Sequence, residues 1–234
     1  IAALQAGKHV YCEKPIAGSY ADGKAMVDAA RETGKMLHIQ LSRIYSSSTV
    51  ASKMMIDAGE LGRIYHARAT EYRRRGRPYV DGYGTARFVQ KKHSGGGALY
   101  DMGIYELSRM LYLMGNPTIE RVSGRTYTET DMDAERGREF DVEELAMGVV
   151  YFEQGLSMHV TSAWAIHLDQ FSPSYIVGSK GGLRVEPFSV FKTIADIDFD
   201  MKANTDAVMG RWGLMQPELS RDMSSSQRHW AAAL

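Results

Sequence analysis

Two residues four positions apart, Asp101 and Tyr105, form a pair able to handle a proton. They fall in residues 98–114, where Tyr100, Ile104, Leu107, Leu111 and Met114 repeat at the spacing of a helical apolar stripe. Asp101, Tyr105, Ser108 and Tyr112 make the adjoining stripe. In a helix, side chains four apart leave the same face one turn from each other. A carboxylate beside a phenol could hold a hydroxyl-bearing substrate and take its proton. A plainer reading satisfies the same spacing: Asp101 as a favourable charge at a helix N-terminus, and Tyr105 as half-buried packing. Spacing alone favours the plainer reading.

The elements that must position this pair change character along the chain. Residues 9–12 and 36–40 are short apolar strands. Between them a helix is predicted from a Ser19 cap, with Asp22 in its first turn, to Thr33 and the terminating Gly34. Strand, helix and strand in so few residues predict a βαβ unit and hence a parallel sheet. A helix is predicted over 49–58. From Leu61 the period becomes two: strands are expected over 61–70, 119–128, 145–152, 156–164, 175–178 and 183–185. Turns at Glu153-Gln154-Gly155 and Ser179-Lys180-Gly181-Gly182 join several of these as hairpins. The expected fold is therefore the end of a parallel α/β domain, residues 1–45, followed by an α+β domain, residues 46–234, built on a large, mostly antiparallel sheet with helices on one face. Past Asp200 the pattern fades, and Trp230 to Leu234 reads as the start of a helix.

Other polar groups carry less. Gly95-Gly96-Gly97 leads into the 98–114 helix but matches no phosphate-binding loop spacing. Arg73-Arg74-Arg75 enters a loop, 76–94, long enough to shape a binding site; it reads first as a solvated charge run and second as a contact for an anionic substrate. The histidines show no metal-ligand spacing, so no metal is expected. The fourteen methionines read as core filling.

The composition is that of an ordinary globular chain, with 28 basic against 28 acidic residues. It gives no electrostatic reason to expect nucleic acid or an anionic membrane as partner. One cysteine, Cys12, cannot close an internal disulfide, and no stretch approaches the roughly 20 apolar residues of a membrane span. The expected compartment is the cytoplasm. Ile1 to Gly7 reads as the end of a helix, so the chain is expected to be a piece of a longer protein.

The run Ala6-Gly7-Lys8-His9-Val10-Tyr11-Cys12-Glu13-Lys14-Pro15-Ile16-Ala17 resembles the glucose–fructose oxidoreductase/inositol dehydrogenase (Gfo/Idh/MocA) family. So does Gly95-Gly96-Gly97-Ala98-Leu99-Tyr100-Asp101-Met102-Gly103-Ile104-Tyr105, a glycine-rich entry followed by an aspartate and a catalytic residue four later. The two lie in the family's order, and the resemblance extends from Ile1 to about Val185. It implies an N-terminal Rossmann domain whose Gly-rich turn precedes Ile1, so this chain alone is expected to bind nicotinamide weakly and to be inactive. It implies NAD or NADP as cofactor, with Glu13, Lys14, Pro15 and Arg43 beside it, and in many members a cis bond before the proline. The family more often has histidine at the place of Tyr105; tyrosine resembles its branch of dihydrodiol and xylose dehydrogenases.

The activity implied is hydride transfer between NAD(P) and a CH–OH group of a sugar, polyol or related carbohydrate. A phenol ordinarily titrates near pH 10, and a lysine ammonium in hydrogen-bond reach favours its ionised form. The roles implied are Tyr105 as acid/base, Lys14 as its partner and polariser of the substrate oxygen, and Asp101 as orienter of substrate or lysine. Trp164 and His167 are expected to line the sugar pocket. Two other readings remain: a nicotinamide-dependent glycoside hydrolase of the same fold, and an inactive module that only pairs subunits. The resemblance also implies a homo-oligomer formed through the large sheet.

Overall fold

The computed structural model describes residues 1–205, 208 and 226–233. A short helix, α1 (Ala2–Gln5), leads into β1 (Val10–Cys12), α2 (Tyr20–Thr33) and β2 (Leu37–Ile39). The two strands run parallel, Val10 against Leu37, as the alternation of elements predicts. Helix α2 starts and stops where its caps dictate. The Ser19 hydroxyl accepts from the Asp22 N–H at 3.1 Å, and Gly34 takes the left-handed φ of 63° that ends the helix. The Lys14–Pro15 peptide after β1 is cis.

The second sheet has eight strands: β3 (Ile64–Tyr72), β4 (Ile119–Tyr127), β5 (Leu145–Phe152), β6 (Ser157–Ala163), β7 (Tyr175–Gly178), β8 (Gly181–Arg184), β9 (Ser189–Ile194) and β10 (Ile197–Lys202). Their order is β10-β9-β8-β7-β3-β6-β5-β4. Only β3 and β6 pair in parallel, so the sheet is mostly antiparallel, as expected. The sequence reading did not anticipate β9 and β10. They are joined through Ala195 and Asp196, both at positive φ (52° and 62°), a conformation usually marked by Asn-Gly or Asp-Gly.

Helices α3 (Ser47–Asp57) and α5 (Ile104–Leu113) cover one face of this sheet. Alternate strand residues Ala67, Ala69, Val150, Phe152, Met158 and Ile176 meet Met110 and Leu113 of α5 in one apolar core. Each such large side chain contributes about 1.5–3 kcal/mol on leaving water. Two short pieces complete the described chain: α4 (Lys91–Ser94) in the 76–94 loop and α6 (Ser226–Ala233). Trp230 of α6 packs near Tyr11 and His38 of the parallel pair, and the Ser226 and Tyr11 hydroxyls lie 2.7 Å apart. Residue 234, the end of the helix start read over 230–234, lies outside the described residues. Among the described residues no helix is long and apolar enough to cross a membrane.

The helix expected over 98–114 needs correction in two respects. Its first turn, Leu99–Gly103, is a π-helix, and regular α-helix begins only at Ile104. The Ala98 carbonyl accepts from the Ser162 hydroxyl of β6 at 2.8 Å, an attraction from outside the helix that competes with the local ladder. The buried face is also rotated from the expected stripe. Met102, Glu106, Arg109, Met110 and Leu113 are buried, whereas Tyr100 and Ile104 are only half-buried. A charged pair inside that face, Glu106 with Arg109, hid it from a purely apolar pattern.

Candidate active site

Lys14 leaves the end of β1 and reaches the π-turn. Its ammonium donates to the Asp101 main-chain oxygen at 2.7 Å and to Asp101 Oδ1 at 3.1 Å. The other carboxylate oxygen, Oδ2, accepts from the Trp164 indole N–H at 3.0 Å. Asp101 is thereby held at both oxygens. An ammonium has three hydrogens, and Asp101 takes two, so one remains for a ligand. The same ammonium lies 4.7 Å from the centroid of the Tyr105 ring. Lys14 and Tyr105 thus meet, through the ring face, while the Tyr105 hydroxyl has no hydrogen-bond partner among the described residues. Lys14 and Asp101 are largely buried, at 13% and 22% side-chain exposure, so their attraction is screened less than a surface pair's.

A second set of charges lies beneath the first. Arg43, just past β2, contacts Glu71 of β3 and donates to Glu106 Oε2 at 2.8 Å. Glu106 is also gripped twice by Arg109 Nη2, at 2.7 Å to each oxygen. Arg109 Nη1 in turn lies 3.0 Å from Glu186 Oε1. Burial alone disfavours the Arg43 charge, but hydrogen bonds and attraction from Glu71 and Glu106 outweigh it and raise its pKa above the ordinary value. The Arg43 guanidinium carbon is 6.0 Å from the Tyr105 ring centroid. Its Nη1 serves these carboxylates, and it does not line the cleft described below.

The glycine triplet is explained by packing. A Cβ on Gly97 would stand 1.9 Å from the Glu143 main-chain oxygen. That close approach lets the Glu143 carboxylate accept from the Gly97 and Leu99 N–H groups at 2.8 and 3.0 Å, and its main-chain oxygen from Ala98 N–H at 3.0 Å. Glu143 therefore caps the turn that carries Asp101, satisfying donors a helix start leaves unpaired. The sequence reading missed this residue.

A cleft of about 640 Å³ opens beside Lys14. Glu13, Lys14 and Pro15 line it, together with Asp101 and Trp164. The 76–94 loop contributes Thr85, Arg87, Phe88 and His93 to the same lining. Sequence reasoning pointed to the loop but not to these residues. His167 is exposed and does not line the cleft, and Tyr105 lies outside its lining too. The arginine run 73–75 is exposed, with Arg75 bonded to Asp81. The following Arg77 is fully buried, bonded to Asp81 and Glu144, and anchors the loop.

The chain matches two family models. Residues 1–41 match the oxidoreductase family NAD-binding Rossmann fold, and residues 49–184, more than half the chain, match the GFO/IDH/MocA C-terminal domain. It is 29% identical over 198 residues to D-glucoside 3-dehydrogenase of Escherichia coli (81% of this chain, 55% of the relative). It is 30% identical over 161 residues to 1,5-anhydro-D-fructose reductase of Ensifer adhaerens (67% and 43%). The crystallised complex of levoglucosan dehydrogenase with NADH and levoglucosan superposes with a TM-score of 0.76 at 25% identity, covering 88% of this chain and 57% of that one. The chain spans about half the length of the curated relatives it matches. On the strength of these matches, the chain belongs to the GFO/IDH/MocA family of oxidoreductases.

Proposed function

We propose that this chain carries the lysine and the substrate side of an oxidoreductase that moves hydride between NAD or NADP and a CH–OH group of a sugar or polyol. The observation that carries the reading is the Lys14 ammonium held by Asp101 in the cleft lining, with the Tyr105 ring 4.7 Å from it. Relatives named as sugar dehydrogenases and reductases support it. We take residues 1–45 as the dinucleotide side and 46–234 as the substrate and pairing side, a division falling between the two matched stretches.

The residues present suit the nicotinamide end of such a cofactor. The carboxyl end of a parallel strand, where ligands of open α/β sheets bind, opens into the cleft through Glu13, Lys14 and Pro15. Among the described residues no Gly-rich turn of dinucleotide spacing serves the pyrophosphate. When bound, the nicotinamide supplies the hydride acceptor or donor. The protein's part is to hold and charge the substrate oxygen. The third Lys14 hydrogen points a positive charge at a developing alkoxide. Asp101, occupied by Lys14 and Trp164, fixes the ammonium and is not available as a base. Tyr105, its ring beside the Lys14 ammonium and its hydroxyl without a partner among the described residues, is the proposed proton acceptor; Glu13 and His93 of the cleft lining are the other groups able to take a proton. Trp164 and His167 would contact the sugar, Trp164 from the cleft lining and His167 only from outside it. We also propose that two copies pair through the face of the large sheet turned away from α3 and α5, where Tyr127 and Met147 are exposed.

The test, made on the full-length enzyme that carries these residues, is oxidation of a panel of sugars and polyols with each nicotinamide, followed at the reduced-nicotinamide absorbance band. Net accumulation is expected; product release without accumulation would mean hydrolysis instead. In that full-length enzyme Tyr105→Phe should lower turnover by about 10²–10⁴ with folding intact. Unchanged turnover would remove Tyr105 from the chemistry.

A further inference from the structure

We propose that the substrate is an anionic sugar, a ring bearing a carboxylate or phosphate remote from the reacting carbon, and that Arg87 recognises this group. The proposal rests on the sugar-oxidising reading above and goes past it by fixing the substrate's charge.

Four charged side chains, Glu13, Lys14, Arg87 and Asp101, line the cleft together with His93 and Tyr100. Lys14 and Asp101 neutralise each other at 3.1 Å. Glu13 Oε2 accepts from the Lys14 backbone N–H at 3.2 Å. Among the described residues neither the Arg87 guanidinium nor the His93 ring makes a hydrogen bond or ion pair, and Arg87 stands exposed in the cleft lining. Arg87 therefore presents a fork of donors, suited to two oxygens of one anion.

The segment that carries Arg87 is fixed. Val89, two residues on, is fully buried against Met102, Val142 and Trp164, and its main-chain oxygen accepts from Asp141 N–H at 3.0 Å. The Asp141 carboxylate accepts in turn from Lys91 N–H at 2.5 Å. Phe88, 47% exposed, gives the same lining an apolar ring. An exposed aromatic face beside an unpaired guanidinium suits a sugar ring that carries a negative group.

The 234-residue chain can be titrated by ligand-observed NMR, with and without NADH, against glucose, glucuronate and glucose 6-phosphate. One of the charged sugars should bind about ten- to a hundredfold more tightly than glucose, the range expected for a hydrogen-bonded charge. Which of the two binds better separates carboxylate from phosphate recognition. Arg87→Gln should level the three ligands, Arg87→Lys should keep part of the preference, and Arg74→Gln should keep all of it. Glucose binding as well as both charged sugars, weakened by Lys14→Met, would leave the sugar site standing and overturn this proposal. A preference that survives Arg87→Gln would overturn it as well. Absence of binding by any of the three, or binding indifferent to Lys14→Met, would overturn the sugar reading and the proposal together.

Discussion

Replacing Gly97 with alanine tests how the Asp101 turn is held. The new Cβ would lie 1.9 Å from Glu143 O, 2.9 Å from its carbonyl carbon and 3.0 Å from its nitrogen. All three are backbone atoms, so no side chain can swing aside. Restoring even a 3.0 Å separation requires the helix start and the strand leading into β5 to part by about 1 Å. Three hydrogen bonds bridge that gap, two of them from amides to a carboxylate. Bonds to a charged group contribute about 1.5–3 kcal/mol each and a neutral one about 1. Allowing water to replace part of this, Gly97→Ala should cost about 4 kcal/mol, a large share of a typical domain's stability. Gly18→Ala is the control, because nothing lies within 4 Å of its Cβ, and it should change stability by less than about 1 kcal/mol. Urea unfolding measures both, with the midpoint shifting at constant slope. A Gly97→Ala protein within about 1 kcal/mol of the parent would refute the argument that close approach fixes this glycine.

Three further outcomes follow from the charges and donors. Arg77→Met removes the buried cation shared by Asp81 and Glu144, leaving them to Arg75 and to backbone amides, and should destabilise by about 3 kcal/mol in the same unfolding assay. Burial pushes the Asp81 carboxyl up, but hydrogen bonds from the Arg77 side chain and backbone and from Arg75 outweigh it and hold the pKa at about 2. Because that pKa is depressed, its contribution is present above the unfolded value near 3.9 and lost as pH falls toward 2; about 2 kcal/mol should disappear over that window, and Asp81→Asn should flatten the dependence. Trp164→Phe removes the donor to Asp101 Oδ2; turnover should fall about tenfold, with a stability loss of about 1–3 kcal/mol. Steady-state kinetics and denaturation on the same sample check that pair of numbers.

Local signals were readable in the sequence. The Ser19 and Gly34 ends of α2, the strand limits at 145–152 and 175–178, and the βαβ opening are set by neighbours within a few residues. What escaped is long-range. Glu143 meets Gly97 from 46 positions away, and Lys14 meets Asp101 from 87. No periodicity records such pairings; the family resemblance pointed to Lys14 and Asp101, and nothing pointed to Glu143. Glu106 and Arg109, three apart on a helix, are 1% and 2% exposed, and Arg43 and Glu186 complete their surroundings from elsewhere in the chain. Arg43, whose sequence place suggested the nicotinamide edge, engages Glu71 and Glu106 through Nη1, a pairing that no local pattern signals. The loop's share of the cleft was foreseen only as a long loop, because Arg87 and His93 acquire meaning from sharing a lining with Lys14, far off in sequence.

The central claim is that the free hydrogen of the Lys14 ammonium holds the oxygen from whose carbon hydride departs. A crystal structure with reduced nicotinamide and a bound sugar measures this directly. The account predicts a substrate hydroxyl within hydrogen-bond distance of Lys14 Nζ, with the Lys14–Asp101–Trp164 chain intact. A sugar seated elsewhere, with Lys14 bonded only to Asp101, would contradict it.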